Sequence, residues 1–297
     1  MTAKHILIPR LCCSLLFVLL PAMAAQAQAP NPANAALCDA ARHGNQVASA
    51  ATADAAAALP AVVTPSLAAG NDAAAHRNFP VAYANFFPLA QKGDAEASRR
   101  FGILLMQVCT ANSDKPVAAS WIRKAADAGD IPATSLLGVA YLNGDGVPQD
   151  DRAAFTAFTT AAATGDVRAE RNLGYLYLSG RGVTQDRYQG VVWSVRAGEK
   201  GDPTALSNIA YGYMSGVPLP KDERRAMYYL ITAIQRANAT QQRDLNTGAA
   251  VETLTKQMSI DDLREIKADA EKWRPGDGSL ARVLDDAAKR RDQGGVP

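Results

Sequence analysis

The sequence predicts an all-α protein, an α/α solenoid of helix-turn-helix repeats with a 36-residue period and a C-terminal capping helix. Three observations carry this expectation. Gly-Asp pairs recur at Gly93-Asp94, Gly129-Asp130, Gly165-Asp166 and Gly201-Asp202, 36 residues apart each time, and a fixed period in this range marks a stacked-repeat architecture. Positions four, eight, nine and twelve after each glycine stay small, apolar or aromatic, which is one face of a 3.6-residue helix. No sustained period-2 alternation, the mark of a half-buried strand, runs through the repeat region.

Taken in chain order, residues 1–27 read as a secretory signal. Lys4, His5 and Arg10 make a basic start, and residues 11–20 (LCCSLLFVLL) form an apolar run of ten, too short to span a bilayer. Small residues follow at Ala22, Ala24, Ala25 and Ala27, so cleavage is expected after Ala27, with Ala24 as second choice. Cys12 and Cys13 precede most of the apolar run, which argues against lipidation. The mature protein is then expected in the periplasm of a Gram-negative bacterium, without a membrane span. Removing that segment takes away two of 31 cations and none of 29 acids, leaving a body of zero formal charge. Such a balance argues against a nucleic-acid partner, which calls for a basic excess.

Residues 28–36 (QAPNPANAA) read as a flexible leader. Residues 37–81 are Ala-rich with breaks at Pro60, Pro65 and Gly70-Asn71, and two or three short helices are expected there. Cys38 and Cys109 remain after signal removal, an even pair in an oxidising compartment. One disulfide between them would tie the N-terminal segment to the first repeat, and two unpaired buried thiols are the alternative. No CxxC spacing supports a redox or zinc role.

The repeat array is expected over residues 82–237. The stretch AYANFFPLAQK, residues 82–92, has the pattern of a second helix from an earlier unit, with Pro88 as an irregularity. Each later unit opens on a glycine suited to the left-handed end of a helix. The aspartate after it is placed to accept orphan backbone N–H groups of the next helix. Four residues on stand Ala97, Ala133, Ala169 and Ala205, then Gly102, Gly138, Gly174 and Ala210, small enough for close helix approach. Leu105, Tyr141, Tyr177 and Tyr213 fill the gaps beside them. The turns Gly144-Asp145-Gly146-Val147 and Gly180-Arg181-Gly182-Val183 need positive φ, with each valine expected to anchor its turn by burial. Asp150, Asp186 and Asp222 then cap second helices that carry Trp121, Trp193 and Tyr229 in one column. The fourth turn, Gly216-Val217-Pro218-Leu219-Pro220, lacks the second glycine, so a different shape is expected. The first unit is irregular too, with residues 109–115 in place of the Gly-x-Gly turn.

Residues 238–292 read as a degenerate repeat followed by capping helices. Ser259-Ile260-Asp261-Asp262 has the form of a capping box and opens a helix to about Trp273, and a last helix is expected over residues 279–292. Residues 293–297 read as a disordered tail.

The pattern KAADAGDIPATSLLGVAYLNGDGVPQD, residues 124–150, followed by an aromatic helix ending in AAATGD, resembles a Sel1-like repeat. That family is a relative of the tetratricopeptide repeat, distinguished by a longer period and the Gly-x-Gly-Val turn. The resemblance covers about residues 82–237. It implies a tetratricopeptide-like α-solenoid that acts as a protein–protein adaptor in the cell envelope. It also brings two alternatives. One is a beta-lactamase or penicillin-binding type of enzyme of the cysteine-rich Sel1 kind, from which this chain departs because its repeats contain only Cys109. The other is a peptidoglycan- or exopolysaccharide-associated scaffold.

The sequence points away from chemistry of its own. GxGxxG, GxxxxGK[ST], HExxH and GxSxG do not occur, and without them no phosphate cradle, zinc-protease or hydrolase site is expected. No catalytic residue, metal or cofactor is expected, and Asp130, Asp166 and Asp202 are read as helix caps. His43 and His76 lie outside the repeats and are read as structural. By analogy with tetratricopeptide arrays the first helix of each unit faces the binding groove. The residues there that the repeat itself does not require are Arg99, Ile103, Val139, Asn143, Arg168, Arg171, Tyr175 and Tyr211. An apolar-to-aromatic row flanked by arginines and amides suits an envelope protein or peptide as partner.

Overall fold

The computed structural model describes residues 32–43, 64–109, 111–112, 114–240 and 247–292. The expected signal (1–27), the expected tail (293–297) and part of the leader lie outside the described residues. Fourteen α-helices and no strand occur among the described residues, which bears out the all-α expectation. They are α1 (Pro32–His43), α2 (Leu67–Ala75), α3 (Phe79–Gln91), α4 (Ala95–Val108), α5 (Lys115–Asp127), α6 (Ile131–Asn143) and α7 (Asp151–Ala162), continued by α8 (Val167–Ser179), α9 (Arg187–Glu199), α10 (Pro203–Ser215), α11 (Glu223–Ala239), α12 (Thr247–Thr255), α13 (Ile260–Lys272) and α14 (Ala281–Asp292). Because α1 starts at Pro32, residues 32–36, expected as leader, are helical.

The repeat glycines and aspartates set the helix boundaries as their chemistry requires. Gly93, Gly129, Gly165 and Gly201 have φ of +90, +86, +86 and +87°. The next carboxylate then accepts the backbone N–H of Ala97, Ala133, Ala169 or Ala205 at 2.7–2.8 Å, which satisfies one orphan donor per helix start. Asp150, Asp186 and Asp222 cap α7, α9 and α11 in the same way. Asp114, at the irregular start of α5, caps nothing with its side chain; it is buried and accepts from Arg42 of α1 at 2.7 Å. At α13 the Ser259 hydroxyl accepts from the Asp262 N–H and donates to the Asp262 carboxylate.

The chain divides into two compact units, with the boundary inside α8: Gln26–Asn172 plus Arg181–Val183, and a C-terminal unit of Leu173–Gly180 and Thr184–Pro297. In the N-terminal unit, consecutive helices from α2 to α7 pack as neighbours, and α1 lies on α3 and α4. The core there is aromatic. Phe101 meets Tyr83 edge-on at 5.1 Å and Trp121 at 5.3 Å, a preferred arrangement of ring quadrupoles. A Cβ on Gly138 would sit 2.7 Å from the Phe158 ring, so only glycine lets α6 and α7 approach this closely. Cys38 and Cys109 are bridged with their Cα atoms 5.6 Å apart, which resolves the two alternatives in favour of the disulfide. The bridge fastens α1 to the end of α4.

In the C-terminal unit, α10 packs on α9 and α11, α11 on α12 and α13, and α14 on α9. Leu206, Ile209, Tyr213, Leu230, Leu280 and Val283 form its core at 1% exposure or less. α13 buries only Ile266 and Ala270 and shows solvent a charged face, as a capping helix should. The fourth turn does differ. Its Leu219 is fully buried against Gly212, whereas Val147 and Val183 are half-buried and so anchor their turns less than expected. The Val217–Pro218 peptide is cis.

Candidate functional site

Neighbouring repeats of the N-terminal unit are joined by two polar ties, and these decide which side chains remain for binding. The first uses the helix caps. The Arg99 Nε donates to both carboxylate oxygens of Asp130 at 2.9 and 3.1 Å. One repeat later the Ser135 hydroxyl donates to Asp166 at 2.7 Å. Each cap aspartate therefore holds its own helix start and a residue of the preceding repeat.

The second tie uses the turns. The Lys115 ammonium meets Asp145 at 2.9 Å, and 36 residues on, the Arg181 Nε meets Asp151 at 2.9 Å. The two pairs occupy the same positions with the signs exchanged. Hydrogen bonding from Arg181 holds the Asp151 carboxyl below the usual carboxylate range. The turn lies tight on the preceding repeat: a Cβ on Gly146 would come 2.2 Å from the Lys115 carbonyl oxygen, and one on Gly182 would come 2.1 Å from that of Asp151. Both glycines also have positive φ.

Against these ties, the candidate binding residues separate into two kinds. Arg99, with 12% of its side chain exposed, serves as a joint between repeats. The Asn143 amide donates to Asp145 at 3.2 Å and so belongs to the turn. Ile103 and Val139 are half-buried on α4 and α6. On α8, Arg168 is exposed and Arg171 half-buried. In the C-terminal unit, Tyr175 is half-buried and Tyr211 is 36% exposed. His76, exposed on the end of α2, bonds Asp72 of its own helix through Nδ1. The sulfur atoms of Cys38 and Cys109 lie within 4.8 Å of the Asp114 carboxylate. Joined as a disulfide they lack the thiolates that bind metal, and Asp114 is held by Arg42.

A feature absent from the sequence reasoning is a cavity of about 540 Å³ in the C-terminal unit, lined by Tyr213, Tyr228, Tyr229, Ile266, Arg225 and Arg282 among others. Tyr213 is fully buried, and its hydroxyl donates to Asp286 at 2.8 Å. Burial, followed by that bond, pushes its phenol well above the ordinary tyrosine range. Tyr213 and Tyr229 stack at 5.9 Å, 7° from parallel. Tyr213 and Tyr229 follow the repeat columns, which is why they read as packing. Ile266 and Asp269 of α13, residues 277–279 and Arg282 of α14 close the rest, where the period has faded and no sequence register places them.

The Sel1 repeat family matches residues 109–130, 131–166, 167–202 and 203–238. Residues 109–238 are four Sel1 repeats. The match begins at 109, later than the resemblance from residue 82, at the irregular segment that precedes α5. A Sel1 repeat protein from Oxalobacter formigenes is similar in structure, with a TM-score of 0.52 and 27% identity over 74% of this chain and 98% of that one. A protective antigen of uropathogenic Escherichia coli, described as displaying an SLR fold, aligns at a TM-score of 0.48 and 21% identity, over 73% of this chain and 50% of that one. No curated protein matches the chain. Repeats of this kind mediate protein–protein contacts, and the four in this chain are consistent with an interaction scaffold. No described helix is long and apolar enough to cross a membrane.

Proposed function

We propose that the protein is an exported, non-catalytic scaffold of the bacterial cell envelope, which holds a partner protein or peptide against the first helices of its repeats. One observation carries the reading. On those helices the packing positions are closed, with Ala97, Ala133, Ala169 and Ala205 all at 0% exposure, while the position ten after each repeat glycine is half-buried in three repeats and 36% exposed at Tyr211. It holds Ile103 and Val139 in the N-terminal unit, and Tyr175 and Tyr211 in the C-terminal unit. The change from aliphatic to aromatic brings in the residue type that dominates interface energies.

Export rests on the pattern of residues 1–27. The Cys38–Cys109 bridge supports it, because disulfides persist in oxidising compartments. The mature chain is expected in the periplasmic fraction with Gln28 as its first residue, and a cytosolic full-length chain would refute export. Partner binding is tested by crosslinking in cells followed by mass spectrometry. A combined Tyr175→Ala and Tyr211→Ala variant is expected to lose the crosslinked partner by tenfold or more. Undiminished crosslinking would refute the column as the binding surface.

A further inference from the structure

We propose that the cavity of the C-terminal unit is a binding pocket for an acidic peptide segment, whose side-chain carboxylate is held by Arg282 and Tyr229 with an aromatic residue beside it. Most charged groups of the cavity are already engaged. Asp269 is paired with Lys272 at 2.9 Å. Asp277 accepts the backbone N–H groups of Arg274 and Ser279 at 3.1 and 2.8 Å. Arg224 is held by Asp262 and Glu265, and Arg225 by Asp222 and Asp286. Each of these charges is already matched.

Besides the Ser279 hydroxyl, two lining groups are not. Tyr229 is 5% exposed, and its hydroxyl makes no hydrogen bond among the described residues. The Arg282 guanidinium has no acid partner among them either. Both are donors. Burial raises the Tyr229 phenol far above neutral pH, so it stays protonated. Arg282 is exposed on α14, and a carboxylate answers a guanidinium best, through charge-assisted bonds. The remaining walls are apolar and aromatic: Ile266 from α13, and Tyr228 set edge-on to Tyr229 at 5.1 Å. That surface suits a ring next to the acid. About 540 Å³ lies within the range of pockets that enclose small ligands or a few residues. The pocket is separate from the Tyr175–Tyr211 column and does not depend on it.

The test is fluorescence anisotropy with the purified full chain and three pools of labelled, acetylated hexapeptides. The first pool has Glu beside Tyr at its centre and an amidated end. The second has Gln in place of Glu. The third has Gln and a free terminal carboxylate. The first pool is expected to bind at least tenfold more tightly than the second. Arg282→Ala should weaken it about tenfold, and Tyr229→Phe, which keeps the ring stack, several-fold. Equal binding of the first two pools overturns the proposal, as does unchanged affinity in both variants. Tight binding of the third pool alone overturns an acidic side chain as the source of the carboxylate. Because only purified protein and peptide are present, failure here leaves the partner-crosslinking reading standing.

Discussion

Exchanging the charges of one turn tie tests whether Lys115–Asp145 and Asp151–Arg181 are one device written with opposite signs. Asp145→Arg places a cation against Lys115 and breaks the bond from Asn143. The Lys115 and Asp145 side chains are 43% and 33% exposed, so the lost attraction is about 0.5 kcal/mol, within the range for solvated pairs. The new repulsion adds a similar amount, for a total of about 1 kcal/mol. Lys115→Asp creates the opposite clash, but it puts an acid in the first turn of α5, where the helix dipole returns about 0.5 kcal/mol. The double variant rebuilds the Asp151–Arg181 geometry and keeps the dipole gain. It should equal or slightly exceed the parent in stability. The coupling in a double-mutant cycle is then about 1.5–2 kcal/mol, read from urea unfolding midpoints at unchanged slope. A double variant no more stable than the sum of its singles would refute the idea that these positions form a tie.

Three further outcomes are expected. Removing the disulfide with Cys38→Ser and Cys109→Ser frees a loop with a sequence separation of 71 and should cost up to about 4 kcal/mol by loop-closure entropy. Urea unfolding with and without reductant measures this, and a free-thiol assay on the denatured, unreduced protein should find neither cysteine. Gly146→Ala should cost about 3 kcal/mol or more, because backbone strain and a 2.2 Å contact with backbone add together. Gly248→Ala, which meets nothing within 4 Å and lies in α12, should be neutral or stabilising in the same melts. The lowered folded pKa of Asp151 contributes stability above its unfolded value of about 4. That contribution is lost as pH falls through the folded value, and Asp151→Asn should flatten this part of the stability–pH profile. An unaltered acid limb would count against the Arg181 tie.

The legible part of this protein is the part that repeats. Gly93, Gly129, Gly165 and Gly201 with their aspartates mark helix ends and starts, and a cap acts within a few residues of itself. Ala97 and its equivalents, Gly138, and the Gly-x-Gly turns follow because small residues at helical spacing have few uses besides close approach and positive φ. Residues 32–36 read as leader but are helical, since proline and asparagine in a short stretch look like coil until a packed neighbour holds the helix.

The binding candidates were less legible for a specific reason. Arg99 is an expected groove residue and Ser135 occupies the same repeat position, but their partners, Asp130 and Asp166, are 31 residues away. Spacing tells which residues share a helix face. It does not tell which of them reaches the next repeat. The sign exchange between Lys115–Asp145 and Asp151–Arg181 is visible in the sequence once the pairing is known, but nothing local announces it.

The amino-acid order by itself settles the helix pairs, their period and their caps, because each depends on backbone chemistry within a turn or two of the residue concerned. Only the tertiary structure decides that Cys38 meets Cys109, that Arg99 is a joint, and that Tyr229 and Arg282 share a cavity. Those outcomes bring together residues far apart in the chain, and such approaches are set by the packing of whole helices instead of by any local pattern.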